Sequence, residues 1–329
     1  MDDHAPAPPA SLALLDAGRH PVAARLDWNL RHRCAVGPQA PVAVALSGGA
    51  DSTAACALMA AIAARDGGPA LAGAIHVHHH LRESADADAA CAQQTAALLG
   101  IPFVQRDVTV DPAGNVMAHA REARYVALAE AARALGAVAV LTAHHGDDQV
   151  ESMLMQALRG DRPLHPATSW RRPIGDGIVA IRPLLDVSRA ELRECAFALA
   201  LQWSEDPTNG DPGRQRARLR MEVLPALHAM FPHGSTHGAS FVHLVQDWAS
   251  LAREHMQRMV GAGPLWDRRL LAQTSPDLLA WWLGHCGGST VPVSTMHAIV
   301  RAIRDDTESP RQWNGWRLDG RTLSYSQPD

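Results

Sequence analysis

Residues 41–46 form a short β-branched and apolar run, residues 51–65 an alanine-rich one, and between them stands Ser47-Gly48-Gly49-Ala50-Asp51-Ser52. Two adjacent glycines at such a junction predict a sharp turn from a buried strand into a helix. A helix that opens there presents unpaired backbone N–H groups and a positive dipole end to an anion. Gly48 and Gly49 let the main chain approach phosphate oxygens with no Cβ in the way, and Ser47 and Ser52 add hydroxyl donors. Asp51 suits a phosphate only through a bridging Mg2+. An ordinary turn capped by Asp51 or Ser52 accounts for the same letters, so the surroundings decide. The loop is not of the Walker type, which requires a lysine. All 30 basic side chains are arginine. That absence also excludes Schiff-base catalysis and ligases that work through a lysyl-adenylate.

Strand-like and helix-like segments alternate through residues 41–160. Strands are expected at residues 41–46, 71–78, 102–110 and 137–143, and helices at 51–65, 84–99, 116–135 and 147–159. Ser84 is the expected cap of the second helix, and Gly100 and Gly136 end the second and third. This order predicts an α/β fold, a doubly wound parallel sheet with helices on both faces. Beyond it lie a further strand at 178–183, helices at 188–201, 215–230 and 240–260, a linker at 261–264, helical segments around Leu278 and His297, and a hairpin-like run at 316–325. The expected domains are a tail and helix (residues 1–36), the α/β domain that carries the glycine turn (37–225), a helical linker region (226–262) and a small C-terminal domain (263–329).

His144-His145-Gly146-Asp147-Asp148-Gln149-Val150-Glu151 follows the fourth strand into a helix and so ends at the same sheet edge as the glycine turn. Asp148 and Glu151 are three residues apart and share a helix face. Two converging carboxylates suit a cationic ligand or a metal, although acidic residues also favour a helix start for dipole reasons alone. His76, His78 and His80 lie on one face of the second strand and His79 on the other; they read as residues lining a crevice or solvated ones before a zinc site. Arg121 and Arg124 share a face of the third helix, where triphosphate, RNA or surface ion pairing are all suitable partners. Arg214, Arg216, Arg218 and Arg220 form the densest basic run, with Arg216 and Arg220 on one face. Phosphate contacts or a solvated helix explain such a run equally in type.

Taken in order, S-G-G-A-D-S, His79 with Leu81-Arg82, A-R-x-x-R-Y at 120–125, H-H-G-D-D-Q-V-E-S at 144–152, Arg182-Pro183-Leu184-Leu185, and Asp206-Pro207-Thr208-Asn209 leading to Arg216 and Arg220 resemble the tRNA(Ile)-lysidine synthetases. These are pyrophosphatase-loop ATPases with an adenine nucleotide alpha hydrolase-like fold. The likeness covers about residues 42–225, with a short C-terminal form of the family.

It implies ATP and Mg2+, free lysine and a CAU-anticodon tRNA(Ile) as partners. ATP adenylates the wobble cytidine with release of pyrophosphate, and lysine then displaces AMP. It further implies ATP binding by Ser47, Gly48, Gly49, Ala50, Asp51, Ser52 and His79, with Mg2+ on Asp51. Lysine is assigned to Asp148 and Glu151, tRNA to Arg214, Arg216 and Arg220, and the catalytic roles to Asp51, Asp148 and Arg124. The chain departs from the family pattern at Asp161-Arg162-Pro163, where a glycine-rich loop is usual. It departs again at Ala217 for Asn, Ser152 for Thr and His80 for Gly.

A tRNA thiolation enzyme of the same superfamily is the enzymatic alternative, and a catalytically inactive tRNA-binding homologue the non-enzymatic one. Thiolation calls for paired cysteines, and Cys34, Cys56, Cys91, Cys195 and Cys286 are widely spaced with no C-x-x-C. No apolar run approaches the roughly 20 residues of a membrane span, so a soluble cytoplasmic protein is expected, and a homodimer is compatible with it. A net charge of −4 leaves RNA binding to local basic surface.

Overall fold

The computed structural model describes residues 16–80, 85–109, 116–159, 169–205, 215–261, 263–287, 292–305 and 309–326. The chain divides into two compact units, Met1–Glu151 with Pro166–Ser240, and Ser152–His165 with Phe241–Asp329.

The first unit is built on strands β1 (Pro41–Ala45), β2 (Ala70–His78), β3 (Phe103–Asp107), β4 (Ala139–Leu141), β5 (Arg171–Gly175) and β6 (Ile178–Ile181). Their order is β3-β2-β1-β4-β6-β5. All neighbours are parallel except β5, which returns antiparallel to β6. The expected doubly wound sheet is present, with this antiparallel edge in addition. Gly175, Asp176 and Gly177, all at positive φ, turn the chain between β5 and β6.

One face carries α1 (Pro21–His32), α2 (Ala50–Ala63), α3 (Ala85–Leu99) and α6 (Arg189–Ala198), and the other α4 (Val116–Ala134). Helix α2 is buried almost all round, from Ala54 to Ile62, because the sheet, α1 and α6 enclose it and its alanines allow close approach. Leu58, Met59 and Ile62 are fully buried there, each stabilising the unit by about 1.5–3 kcal/mol. Helix α6 starts at a complete capping box in which Ser188 and Glu191 satisfy one another's backbone N–H groups. Glu191 also pairs with Arg25 at 2.8 Å, tying α1 down.

Two expected elements differ. Strand β3 stops at Asp107 rather than continuing to Val110. The single helix expected at 215–230 is three pieces: α7 (Gln215–Arg218), a π-helical turn (Leu219–Val223) and α8 (Leu224–Met230). Pro225 supplies the reason, since it has no N–H for a regular helical bond back to the preceding turn. Ser84, the expected cap of α3, lies outside the described residues.

Helices α5 (Gly146–Arg159) and α9 (Gly234–Val260) contain the unit boundaries. The second unit contains β7 (Leu265–Asp267), α10 (Arg268–Ala272), α11 (Pro276–Cys286), α12 (Val293–Arg304), β8 (Arg311–Trp313), β9 (Trp316–Asp319) and β10 (Thr322–Tyr325). The strands form an antiparallel sheet in the order β7-β10-β9-β8. The expected hairpin is therefore β9–β10, widened by two strands too short to signal themselves. Its core is aromatic: Trp266 meets Trp282 edge-on at 5.0 Å and stacks with Trp316 at 5.8 Å. Among the described residues no helix is long and apolar enough to cross a membrane.

Trp282 lies fully inside this cluster. Trp282→Ala is expected to destabilise the second unit by about 3–5 kcal/mol, read as an early transition in urea unfolding followed by circular dichroism. An unchanged unfolding curve would show that the tryptophan cluster does not hold the unit together.

Candidate active site

Strands β1 and β4 are parallel neighbours, so the turns at their carboxyl ends open onto one rim of the sheet. The first is the glycine turn. Gly48 sits at φ +89°, and a Cβ there would lie 2.4 Å from the Asp88 carbonyl, so only glycine fits. Gly49 caps α2 with no side-chain hydrogen bond, which leaves the first N–H groups of the helix free for a ligand. Ser52 Oγ donates to the Gly49 carbonyl at 3.0 Å, accepts from Ser47 N at 3.1 Å and lies 2.9 Å from Ser47 Oγ. These bonds hold the turn in its curled form. Ala50 is the first residue of the helix, and Asp51 follows with one carboxylate oxygen, Oδ1, buried and without a hydrogen-bond partner among the described residues.

The second turn enters α5. His145 is buried, its Nε2 3.7 Å from Asp51 Oδ2 and 3.6 Å from Asp148 Oδ2, with Nδ1 3.7 Å from Asp147 Oδ2. Burial by itself lowers the His145 pKa, but the Asp148, Asp51 and Asp147 carboxylates outweigh it and raise the group to about 9. His145 is thus an imidazolium joining the two turns. Neighbouring His144 is brought down to about 3 by burial and is neutral, with Nδ1 2.9 Å from Thr142 Oγ1. Arg189, at the start of α6, adds a second cation 3.7 Å from Asp51 and donates its backbone N–H to Asp147 at 2.8 Å.

Asp148 and Glu151 face the same way on α5, as their spacing predicts. Arg216 and Arg220 come to them from α7 and the π turn. Arg216 donates to Glu151 at 2.7 Å and to Asp148 at 3.1 Å. Arg220 donates to Glu151 at 2.7 and 2.9 Å and to Asp148 at 3.3 Å. The Glu151 side chain is fully buried, whereas Arg216 is 45% exposed. Burial raises the Asp148 pKa, yet the imidazoles and both guanidiniums hold it well below the usual carboxylate range. The residues assigned to lysine and two of those assigned to tRNA therefore form one four-membered ionic cluster. Arg214 lies outside the described residues, as do Leu81-Arg82, Asp161-Arg162-Pro163 and Asp206-Pro207-Thr208-Asn209.

Arg124 and Arg121 lie 5.6 and 5.9 Å from the centre of the Tyr125 ring, and Arg172 lies 4.6 Å from it. Buried Arg182 donates to the Tyr125 hydroxyl at 3.2 Å. Burial pushes this phenol up, but Arg182, Arg124 and Arg121 together bring it down to about 8. His79 is half-buried just beyond β2. Sequence reasoning passed over the bridging role of His145, the second cation at Arg189 and the part of Tyr125 in gathering arginines. The H-H-G-D-D block carried the only sign of the first.

A PP-loop domain model matches residues 23–227. The chain is 35% identical over 301 residues to a tRNA(Ile)-lysidine synthase of Burkholderia mallei, covering 84% of this chain and 59% of that relative. It is 39% identical over 267 residues to a tRNA(Ile)-lysidine synthase of Bordetella bronchiseptica, covering 79% and 71%. The chain thus spans about three fifths of the length of the Burkholderia relative. Among solved structures, a U34-tRNA thiolase from Methanococcus maripaludis with its [4Fe-4S] cluster superposes with TM-score 0.56 at 17% identity, covering 72% of this chain and 80% of that one. At that identity the likeness concerns the fold alone.

A histidine whose folded pKa is raised stabilises the fold fully below its unfolded value, and the contribution is lost as pH rises through the folded one. For His145 that window runs from about 6.5 to about 9. Wild-type stability is expected to fall across it more steeply than that of His145→Gln, as measured by urea midpoints. Parallel slopes would mean that His145 carries no charge in the folded protein.

Proposed function

The chain belongs to the PP-loop family of the tRNA(Ile)-lysidine synthases, and from that premise we propose that it joins lysine to the wobble cytidine of a CAU-anticodon tRNA(Ile). The observation that carries this reading is the 3.7 Å approach of His145 to Asp51, which puts the phosphate turn and the paired carboxylates of α5 in one site.

In the first step the C2 oxygen of the cytidine attacks the α-phosphorus of ATP and pyrophosphate leaves. Gly48, Gly49 and Ala50 offer backbone donors to the phosphates, Ser47 and Ser52 hydroxyls, and the free end of α2 a favourable dipole. Magnesium supplies charge neutralisation across the phosphates when it accompanies ATP. The unpartnered Oδ1 of Asp51 fits a hard cation, so Asp51 is the residue to hold it. We assign His79 to the nucleotide and Arg124 to the charge that develops on the departing phosphates.

In the second step the side-chain amine of lysine, in its neutral form, attacks C2 of the adenylated cytidine; the C2–O bond breaks, AMP leaves with its electron pair, and the surplus proton on nitrogen passes to solvent. Asp148 and Glu151 bind the cationic groups of lysine. In the free protein both are already paired with Arg216 and Arg220, so lysine exchanges one cation for another rather than meeting bare carboxylates. Arg216, nearly half exposed, is the partner with room to leave, and Arg214, Arg216 and Arg220 are then available to tRNA phosphates. No side chain acts as a nucleophile. Rate enhancement comes from positioning and electrostatics.

Thiolation is disfavoured by the cysteines. Burial raises the thiols of Cys34, Cys56 and Cys195 to about 12, which makes them poor nucleophiles and poor ligands.

The test is incubation with ATP, labelled lysine and a CAU-anticodon tRNA(Ile) transcript, scoring label in RNA. Asp51→Ala is expected to abolish pyrophosphate release. Asp148→Ala is expected to raise the lysine concentration needed for half-saturation at least tenfold, a differential binding loss of about 1.4 kcal/mol or more. Binding of tRNA with no pyrophosphate release in the presence of lysine would support the inactive homologue instead. Unchanged lysine saturation in Asp148→Ala would remove that carboxylate from the amine site.

A further inference from the structure

His78 and His80, on either side of His79 at the end of β2, have no part in the reaction above. In the parallel pairing of β2 and β3, His78 is the register partner of Asp107. His80 lies two residues past the end of the strand and returns to the same carboxylate. His80 Nε2 lies 2.9 Å from Asp107 Oδ1, and His78 Nδ1 lies 4.0 Å from the same oxygen. The two imidazole rings are 4.0 Å apart, and one ligand atom from each of the three residues falls within 4.8 Å of the others. Donors sharing a metal at the usual bond lengths of about 2.0–2.2 Å stand roughly 3.5 Å apart, so small side-chain rotations of about an ångström close the set around an ion.

The protonation pattern points the same way. His78 Nδ1 accepts the backbone N–H of His80 at 3.3 Å, which leaves the proton on Nε2, 3.1 Å from Asp86 Oδ1. The lone pair of His78 is therefore on the nitrogen that faces Asp107, and a carboxylate holds the opposite nitrogen. A carboxylate behind an imidazole is the arrangement that orients histidine ligands and strengthens them as donors. His78 is buried, whereas His80 and Asp107 are exposed, so the set is anchored at its base and open to solvent. His80 further adopts φ +51°, a left-handed conformation that is uncommon for residues other than glycine. In that conformation its ring turns back onto Asp107. Backbone strain of this sort concentrates where a side chain is put to use.

We propose that His78, His80 and Asp107 form a binding site for a zinc-class divalent cation, with Asp86 positioning His78. Two imidazole nitrogens and one carboxylate oxygen suit Zn2+ or Co2+ ahead of Mg2+ or Ca2+. On binding, the metal replaces the His80 N–H at the lone pair of His78. Three protein ligands leave a coordination position open for water or for a donor from a bound molecule.

The full chain, stripped with a chelator and dialysed, is titrated with Zn2+ alone by calorimetry, and in parallel with Co2+ followed by visible absorption. Wild type is expected to bind one equivalent of Zn2+ more than either His80→Gly or Asp107→Asn. The Co2+ absorption band of the wild type should be lost in both. Asp86→Asn should weaken the site about tenfold. Glycine tolerates the backbone at position 80, and circular dichroism verifies that each variant is folded. The proposal is overturned if wild type takes up no Zn2+ at this site, or if both variants bind it as many times and as tightly as wild type.

Discussion

The arrangement depends on the parallel pairing of β1 with β4. Register places Val42 beside Ala139 and Val44 beside Leu141, so the chain leaves both strands at the same end and at adjacent positions. A glycine-rich turn and an acidic helix start, separated by almost a hundred residues, thereby become neighbours. His145 completes the junction. Its imidazolium lies between Asp51 of one turn and Asp148 of the other, which offsets the cost of placing several carboxylates at one partly desolvated rim. Arg189 adds a second cation beside Asp51, so the carboxylates of the two turns meet across positive charge.

Charge balance then explains the arginines. Glu151 is fully buried, and Arg216 and Arg220 satisfy both its carboxylate oxygens through paired, short hydrogen bonds. The π turn at Leu219–Val223 widens the helix where Arg220 reaches the acid pair. Such turns occur often at functional sites. The outcome is a cluster that is complete in the free protein and exchangeable from its exposed side. In the proposed reaction this property keeps the carboxylates from ever being left bare beside polyanionic RNA.

Much of the first unit was legible because each signal was local. The Gly48-Gly49 turn and the stops at Gly100 and Gly136 depend on residues a few positions apart, and strand and helix periods separate them. The common edge of the glycine turn and the acidic helix also followed, since it needs only strand order and direction. What escaped depends on three-dimensional meetings. Arg216 and Arg220 were readable as a basic helix face, but nothing in their spacing said that the face meets Asp148 and Glu151. Strand β5 escaped because its residues 171–175 are Arg- and Pro-bearing and form an edge, where burial does not impose an apolar pattern. The second unit's tryptophan core draws Trp266, Trp282 and Trp316 from distant segments, and β7 and β8 have three residues each, too few for any alternation to show.

The central claim is that nucleotide phosphates and a cationic amine occupy one rim, joined through His145. It is tested most directly by a crystal structure of the protein with lysine and an ATP analogue whose α,β-bridge cannot be cleaved. The account predicts phosphate oxygens on the backbone N–H groups from Gly49 to Ser52. It also predicts a lysine ammonium between Asp148 and Glu151, with Arg216 displaced from the pair. Phosphates bound away from Gly49, or lysine bound away from both carboxylates, would contradict it.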